Sequence, residues 1–432
     1  MRKLAVDGSV AALVAVALTA CSSCRDHPRH QDATHAAAPR DAAPSHALSL
    51  SDAAPDPDAG FAWYRFVAKI DDLGDVPFIV GVHHDRPEGW IVSAGERLPL
   101  VVVQRSPLVL RIPVRGVELR LAPDGAGGRL RGQWLVAYYF KRDFDIVAEP
   151  IAGPQPERLF PDGDPPTLDL AGTWRIDIKE FGVGRAIFRQ DAHGIIGGTI
   201  IPPEVGDLRY LTGRVTGDRA RLSAFDGIHG FFIDLIAQDG GRKLTGHWVI
   251  AGIGDFPFTA TREDAPATHL SVGAHLAQGK TRIALPALDR PPYVGNPVIV
   301  DYFGSWCPVC LDLTPELVRL RREHAAAGLQ VLSIALEPVG DEAETRRRLD
   351  EFRTAFGVTW PFEVRFTDDF VGAISPEILD ASGFPVTIFL RRDHTVAAIH
   401  TGFVSRAAGA EHAAVVKQFD QLTADLVAPP PR

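Results

Sequence analysis

The chain has 432 residues, and its formal net charge of −9 at pH 7 comes without any stripe of Lys and Arg. This balance argues against nucleic acid as a partner, because affinity for nucleic acid depends on basic side chains that neutralise phosphates. Beyond the N-terminal region, roughly 370 residues are too many for one hydrophobic core, so the length predicts two or three domains.

The first segment, residues 1–20, is predicted to be an export signal. Arg2 and Lys3 precede an apolar run from Val10 to Leu18 that is too short to span a bilayer. The stretch LTAC, which ends at Cys21, resembles the lipobox of bacterial lipoproteins, and this resemblance implies that a lipid on Cys21 anchors the mature chain to a membrane. An ordinary secretory signal is the alternative. Both place the chain outside the reducing cytosol, where disulfides persist.

Residues 21–59 are predicted to be a disordered tether, because they are rich in Ala, Pro, Asp and His and lack periodic apolar residues. A flexible segment of this length reaches on the order of 30 Å, enough to hold a globular body off a membrane surface. Cys21 and Cys24 also have CxxC spacing, but no strand precedes them and lipidation would consume the first sulfur. We interpret this spacing as coincidence, with Cys24 a leftover thiol that is free or cross-links two chains.

Short alternating runs of apolar and polar residues, separated by Asp-Gly turns, predict an N-terminal antiparallel all-β region. We divide it into β units at 60–151 and 167–265, joined by the Pro-rich segment 152–166. Each unit is expected to be a barrel or a sandwich.

Tryptophans predict that the two units are tandem repeats. Trp63 and Trp134 are 71 positions apart in the first unit, and Trp174 and Trp248 are 74 apart in the second. A phenylalanine follows the second tryptophan by ten positions in each unit, at Phe144 and Phe258. This internal similarity indicates two related β units.

The glycine-tryptophan starts and the LTGHW ending resemble lipocalin-like barrels over short pieces of this region. A cupped sheet of that kind would hold a ligand or a partner's strand, whereas the alternative is a spacer that presents the C-terminal domain. His83, His84 and His229 have no metal-ligand spacing with Cys or Glu, so we interpret them as surface or core residues.

The pattern changes over residues 280–427, where strands alternate with helices and predict an α/β domain with a mixed sheet. A continuous apolar run, PVIVDYF, predicts a buried parallel strand that leads directly into Trp306 and Cys307. The helix predicted next carries Pro315 inside it and stops at Gly328.

The position of the cysteines predicts redox chemistry. Cys307 lies where the strand ends and the helix begins, so free backbone N–H groups and the helix dipole favour its thiolate, which makes it the candidate nucleophile. Pro308 suits the first helical position. Cys310 lies almost one turn along the same face, where it can attack a mixed disulfide at Cys307 as the resolving cysteine.

The WCxxC motif after the first core strand, followed later by Gly-Phe-Pro before another strand, resembles the thioredoxin superfamily. The resemblance is to its TlpA-like and ResA-like membrane-tethered thiol-disulfide oxidoreductases and covers about Leu285 to Leu426. It implies that Asp301 is a buried carboxylate that exchanges protons with the second cysteine; a strand-end Asp facing water is the alternative.

The same resemblance implies that Pro385 is a cis-proline facing the disulfide and that Phe384 pairs with an extended substrate through its backbone. A plain turn proline is the alternative. Trp306 and Pro308, which flank Cys307, complete the candidate substrate-binding residues. The chain departs from the ResA-like pattern at Leu313, where members often carry a glutamate.

Three other interpretations of the cysteine pair were weighed. A zinc site lacks two further ligands. An inert staple would close almost no loop and would stabilise little. A peroxiredoxin-like activity lacks the expected Thr, because Gly304 stands three positions before Cys307. The rival from another class is a lipoprotein whose β half binds a ligand or partner.

The combined prediction is a lipid-anchored envelope protein that faces the periplasm and exchanges disulfides with other proteins. It needs no cofactor beyond its redox-active cysteine pair, and a membrane thiol donor is expected to keep it reduced. Ser22, after Cys21, is compatible with sorting to the outer membrane.

Overall fold

The computed structural model describes residues 58–70, 74–136, 143–203, 206–263 and 273–428. The predicted export signal, the lipidation site Cys21, Cys24 and nearly all of the predicted tether lie outside these ranges. Antiparallel β structure dominates the described residues, and their α-helices are confined to the C-terminal part.

The first β unit closes into an eight-stranded antiparallel barrel, in which each strand pairs with the next and the last pairs with the first. A barrel of eight strands is just wide enough for side chains to fill its interior. Alternate residues of the first strand, Phe66, Ala68 and Ile70, accordingly lie in its core. The strands are β1 (Phe61–Ile70), β2 (Gly74–His83), β3 (Glu88–Ser93), β4 (Glu96–Arg105), β5 (Leu108–Ile112), β6 (Val117–Pro123), β7 (Leu130–Val136) and β8 (Asp143–Ile151).

The second β unit forms another eight-stranded antiparallel barrel with the same order of strands. The prediction of antiparallel β structure is therefore confirmed, and the choice between barrel and sandwich is resolved as two barrels. The strands are β9 (Gly172–Ile178), β10 (Gly182–Gln190), β11 (Ile195–Ile201), β12 (Leu211–Thr216), β13 (Arg219–Phe225), β14 (Gly230–Gln238), β15 (Lys243–Ile250) and β16 (Gly254–Glu263).

The tryptophans that marked the repeat are only partly equivalent. Trp134 on β7 and Trp248 on β15 lie in the cores of their barrels, on corresponding strands. Trp174 on β9 also lies in the core of the second barrel. Trp63 on β1 instead faces outward, because it is out of phase with the inward-facing Phe66, and it packs on the segment that joins the barrels.

The phenylalanine match was wrong in register. Phe144 lies opposite Trp134 in the ladder between β7 and β8. The residue opposite Trp248 in the second barrel is Phe256 and not Phe258. The connection between β15 and β16 is shorter than that between β7 and β8, so an equal sequence offset does not give an equal position in the sheet.

The two barrels share one core at their junction. Phe225, at the end of β13, stacks on Phe78 of the first barrel with ring centroids 4.5 Å apart and contacts Trp134 edge-on at 4.8 Å. The Ser223 hydroxyl donates a hydrogen bond to the Pro77 carbonyl at 2.6 Å. A turn of the second barrel thus fills one end of the first.

The Pro-rich joint is packed between the barrels. Its Leu159 and Phe160 are buried against Trp63, and the Leu159 carbonyl accepts a hydrogen bond from Arg65 Nε at 2.9 Å. The joint therefore contributes to the contact between the two units.

The C-terminal part contains a five-stranded mixed sheet in the order β20, β19, β18, β22, β23. Central strand β18 is parallel to β19 and antiparallel to β22, and all six of its residues are buried, as its apolar sequence predicts. Its elements are β17 (His275–Leu276), β18 (Val298–Phe303), α1 (Pro308–Glu323), β19 (Gln330–Glu337), α2 (Glu342–Phe356), β20 (Phe362–Phe366), β21 (Ile378–Leu379), β22 (Val386–Leu390), β23 (Val396–Thr401) and α3 (Ala410–Val427).

Candidate redox site

The two cysteines of the WCxxC motif are joined by a disulfide at the junction of β18 and α1. Cys307 caps the helix, with extended backbone angles, and its Sγ accepts a hydrogen bond from the Cys310 N–H at 3.2 Å. The Cα atoms of the pair are 5.3 Å apart. In the reduced protein, the same N–H and the positive end of the α1 dipole would stabilise a thiolate on Cys307.

The exposure of the two cysteines differs only slightly. Cys307 is 5% exposed and Cys310 is 1% exposed. This order agrees with Cys307 as the attacking thiol and Cys310 as the resolving thiol, because an attacking sulfur must be reached from outside. Both values are low, so little of either cysteine is open to solvent in the disulfide form.

Two of the predicted substrate-binding residues, Trp306 and Pro308, flank Cys307 in the chain, and Trp306 contacts the third, Phe384. Trp306 donates its indole N–H to the Leu336 carbonyl at 2.9 Å, and its ring lies 5.8 Å from that of Phe384. The Phe384–Pro385 peptide bond is cis, as the resemblance implied. Pro308 is buried and occupies the first position of α1. The functional roles of these residues stay predictions.

Asp301 is buried in the middle of β18. It is 3% exposed, and its Oδ2 accepts a hydrogen bond from the Ser333 hydroxyl at a long 3.5 Å. Its Oδ1 has no hydrogen-bond partner among the described residues. Burial outweighs the Ser333 hydrogen bond and raises the pKa of Asp301 to about 7. The alternative of a strand-end Asp facing water is therefore wrong.

The side chain of Asp301 points to the α1 face of the sheet. Its neighbours at alternate positions, Ile299 and Phe303, belong to the same core cluster as Cys307 and Cys310. Tyr302, one residue on, lies in the core on the opposite face. The carboxyl group and the cysteine pair are thus on one side of β18.

Glu337 is a second buried carboxylate at the site, and it was not predicted from the sequence. It is fully buried at the end of β19 and accepts hydrogen bonds from the Ser305 N–H at 2.7 Å and the Ser305 hydroxyl at 2.9 Å. Burial raises the pKa of Glu337 to about 7. A usable signal did exist, because the carboxyl ends of the parallel strands β18 and β19 meet at one edge of the sheet.

The second barrel also reaches the redox site, which the sequence did not predict. Asp207, between β11 and β12, accepts hydrogen bonds from the Ser405 N–H at 2.6 Å and the Ser405 hydroxyl at 2.7 Å. Arg209 forms an ion pair with Asp312 of α1 and lies 3.5 Å from the Pro308 carbonyl. Its other partner is Glu96 of the first barrel.

The described residues contain no cluster of three or more His, Cys, Asp or Glu side chains that could hold a metal ion. His229 hydrogen-bonds to Asp226 at 3.0 Å, and His83 Nδ1 accepts hydrogen bonds from the Asp85 and Arg86 N–H groups. Across the ranges that the structure covers, no helix combines the length and the apolar character needed to cross a membrane.

Comparisons with known proteins gave matches in solved structures alone. No protein-family model matches the chain, and no curated protein matches it. Similar solved structures include a thiol:disulfide interchange protein of the thioredoxin family from Chlorobium tepidum, at 20% identity over 31% of this chain and 81% of that one, with a TM-score of 0.23. A secreted thiol-disulfide isomerase from Corynebacterium glutamicum is 25% identical over 31% of this chain and 72% of its own, with a TM-score of 0.25.

StoA from Bacillus subtilis is similar to 37% of this chain and 99% of its own length, at 15% identity and a TM-score of 0.22. These matches concern about a third of the chain. Because the TM-scores and identities are low, these similarities support no function for the chain beyond what the geometry of the cysteine site supports.

Proposed function

We propose that the chain is a thiol-disulfide oxidoreductase of the TlpA-like and ResA-like kind that reduces protein disulfides in the bacterial cell envelope. The observation that supports this most is the disulfide between Cys307 and Cys310 at the start of α1. A disulfide that closes so short a loop adds little to stability, so its value to the protein is its chemistry.

The proposed reaction starts from the reduced pair. The Cys307 thiolate attacks one sulfur of a partner's disulfide, which forms a mixed disulfide and releases the partner's other sulfur as a thiolate. The Cys310 thiol then loses its proton, and its sulfur attacks Cys307. The mixed disulfide breaks, the partner leaves as a dithiol after taking up two protons, and two electrons have passed from the cysteine pair to the partner.

Asp301 is proposed to accept the Cys310 proton. The carboxyl group shares a face of the sheet with the cysteines, and burial raises its pKa to about 7, so it exchanges protons near neutral pH. Its Oδ1 has no hydrogen-bond partner in the described part of the chain, which leaves an acceptor position open.

The proposed location and partners rest on the sequence. A lipid on Cys21 would anchor the chain to a membrane, with the tether holding the folded part in the periplasm. A membrane thiol donor would return the oxidised pair to the dithiol. The packed core of the second barrel speaks against the alternative of a ligand held inside that barrel.

The test is reduction of insulin disulfides by the full chain in the presence of dithiothreitol. We expect Cys307→Ser to abolish the catalysed rate, and Cys310→Ser to abolish turnover while it accumulates a mixed disulfide with insulin. Cys24→Ser is the matched control, because it removes a cysteine from the chain's other CxxC pair and should keep the wild-type rate. Equal rates for wild type and Cys307→Ser would refute the proposal.

A further inference from the structure

The wall of the redox site beside Val309 and Phe403 is covered by a segment of the second barrel, residues 206–209. All four of these residues are buried. A Cβ atom built on Gly206 would lie 2.5 Å from the Phe403 carbonyl oxygen and 2.6 Å from Val309 Cγ1. Only glycine allows the barrel backbone to come this close to Val309, one of the two residues between the cysteines.

Polar contacts fix this segment at both ends. Asp207 accepts two hydrogen bonds from Ser405, which follows directly after the Phe403 and Val404 stretch. Two residues on, Arg209 contacts the Pro308 carbonyl and Asp312 on α1. The segment is thereby tied to both sides of the redox site, at the loop after β23 and at the first turn of α1.

The same segment is held in an unusual backbone conformation. Gly206 has φ +101 and Arg209 has φ +55, and a positive φ is rare for a residue with a side chain. Contacts with the surroundings must maintain such a conformation. Those contacts include Ser405 and Asp312 in the α/β part of the chain, Glu96 of the first barrel and Thr199 of β11.

Two further ion pairs connect the barrels to the α/β part of the chain. Arg111 on β5 pairs with Glu351 of α2 at 2.9 Å, and Arg185 on β10 pairs with Glu411 of α3. Polar contacts are replaced by hydrogen bonds to water when an interface opens, so their net cost is smaller than that of an equal apolar area. Displacement of residues 206–209 would likewise exchange their polar contacts with Ser405 and Asp312 for hydrogen bonds to water.

We propose that residues 206–209 form an intramolecular cap that occupies the partner-binding groove beside Cys307 and must be displaced before a protein disulfide can be attacked. This inference rests on the proposed function for its biological meaning but not for its test. Its occupant is this segment of the same chain, and Asp207 and Arg209 are the residues that hold it in place. Exchange with large substrates then depends on the fraction of molecules in which the cap is open.

The test measures access to Cys307 without any disulfide substrate. The full chain carrying Cys21→Ser, Cys24→Ser and Cys310→Ser has Cys307 as its sole cysteine, and its alkylation by iodoacetamide is followed by mass spectrometry. We expect the folded chain to react at least about tenfold more slowly than the same chain in urea, because only the open fraction reacts.

Asp207→Ala, which removes the tie to Ser405, is then expected to raise the alkylation rate of the folded chain by about tenfold. The matched control is Asp234→Ala, which breaks an ion pair with Arg219 on the exposed side of the same barrel and should keep the parent rate. If Asp207→Ala does not fold, Gly206→Ala tests the same contact, because its Cβ would push the segment away from Phe403 and Val309.

If folded Asp207→Ala and Gly206→Ala are alkylated at the parent rate, the cap proposal is wrong. It is also wrong if Cys307 of the parent chain is alkylated as fast in the folded state as in the unfolded state. The outcome is separable from that of the proposed function. If the chain lacks insulin reductase activity but its Cys307 becomes accessible in the cap variants, the cap proposal is supported and the oxidoreductase proposal is refuted.

Discussion

Replacing Asp301 by Asn is expected to remove one titration from the pH dependence of stability. Burial raises the pKa of Asp301 from its ordinary 3.8 to about 7 in the folded chain. Below the unfolded value both states bind the proton, and the carboxyl group imposes no penalty on folding. As pH rises from about 4 to about 7, the unfolded state ionises first, so the folded state loses about 1.4 kcal/mol of stability per pH unit.

The full loss across this window is about 4 kcal/mol, since the two pKa values lie about three pH units apart. Burial also raises the pKa values of Glu337 and Asp312, so the wild-type chain loses further stability in the same direction. Asp301→Asn retains those two groups. The informative quantity is therefore how the difference in free energy of unfolding between the two chains changes with pH. Any effect of the amide on packing that does not vary with pH leaves this change unaltered.

The assay is urea unfolding of the oxidised chain between pH 4 and 8, followed by tryptophan fluorescence, with the urea dependence of the free energy checked for constancy. The Asn variant should gain stability relative to wild type as pH rises. Asp350→Asn, at an exposed carboxylate of α2, is the matched control. Parallel curves for wild type and Asp301→Asn over the whole range would refute the burial argument and, with it, the proposed proton acceptor.

Three further changes probe the site and the barrels. Glu337→Ala removes the carboxylate that accepts hydrogen bonds from the buried Ser305 N–H and hydroxyl and should cost about 2 to 3 kcal/mol, read as a lower Tm. Trp134→Ala empties the core of the first barrel and should cost about 3 to 5 kcal/mol in urea unfolding, whereas Ile236→Ala, at a half-exposed site on β14, should cost less than about 1 kcal/mol. Arg111→Ala removes a partly exposed ion pair with α2 and should cost less than about 1 kcal/mol.

Each of these changes has a result that would count against its reasoning. An unchanged Tm in Glu337→Ala would mean that water replaces the lost acceptor. Equal losses for Trp134→Ala and Ile236→Ala would mean that the first barrel lacks a tightly packed core. A loss of several kcal/mol for Arg111→Ala would mean that the contact between β5 and α2 is shielded from solvent.

The sequence predicted the features that depend on residues close together in the chain. The apolar run of β18, the helix start at Pro308 and the spacing of Cys307 and Cys310 each depend on neighbouring residues, and the structure has all three. The cis peptide before Pro385 was implied by the resemblance to the thioredoxin superfamily and not by neighbouring residues alone. The antiparallel character of the β half followed from alternation and turn residues, which are also local signals.

Features that depend on strand register, or on contacts between residues far apart in the chain, were not predicted. Trp63 and Trp174 occupy matching positions in the sequence repeat, yet Trp63 faces out of its barrel and Trp174 faces into its core. A shift of one residue along a strand is enough to move a side chain to the other face. Asp207 lies 198 positions from Ser405, and Arg209 lies 103 positions from Asp312. No periodicity or motif connects residues so far apart. The position of residues 206–209 against the redox site could therefore not be predicted from the sequence.

The buried charges at this junction make the barrels and the redox part depend on one another. Arg209 is 7% exposed and brings together Glu96 from the first barrel and Asp312 from α1. Arg115, also buried, contributes a second cation whose pKa burial lowers to about 10. In the intact chain, replacing one of these charged side chains would leave a buried charge without its partner, which costs more than the intact cluster contributes. Arg209 thus joins the two barrels and α1 through one buried group of charges, and an isolated α/β fragment would expose both Asp312 and the wall that residues 206–209 now cover.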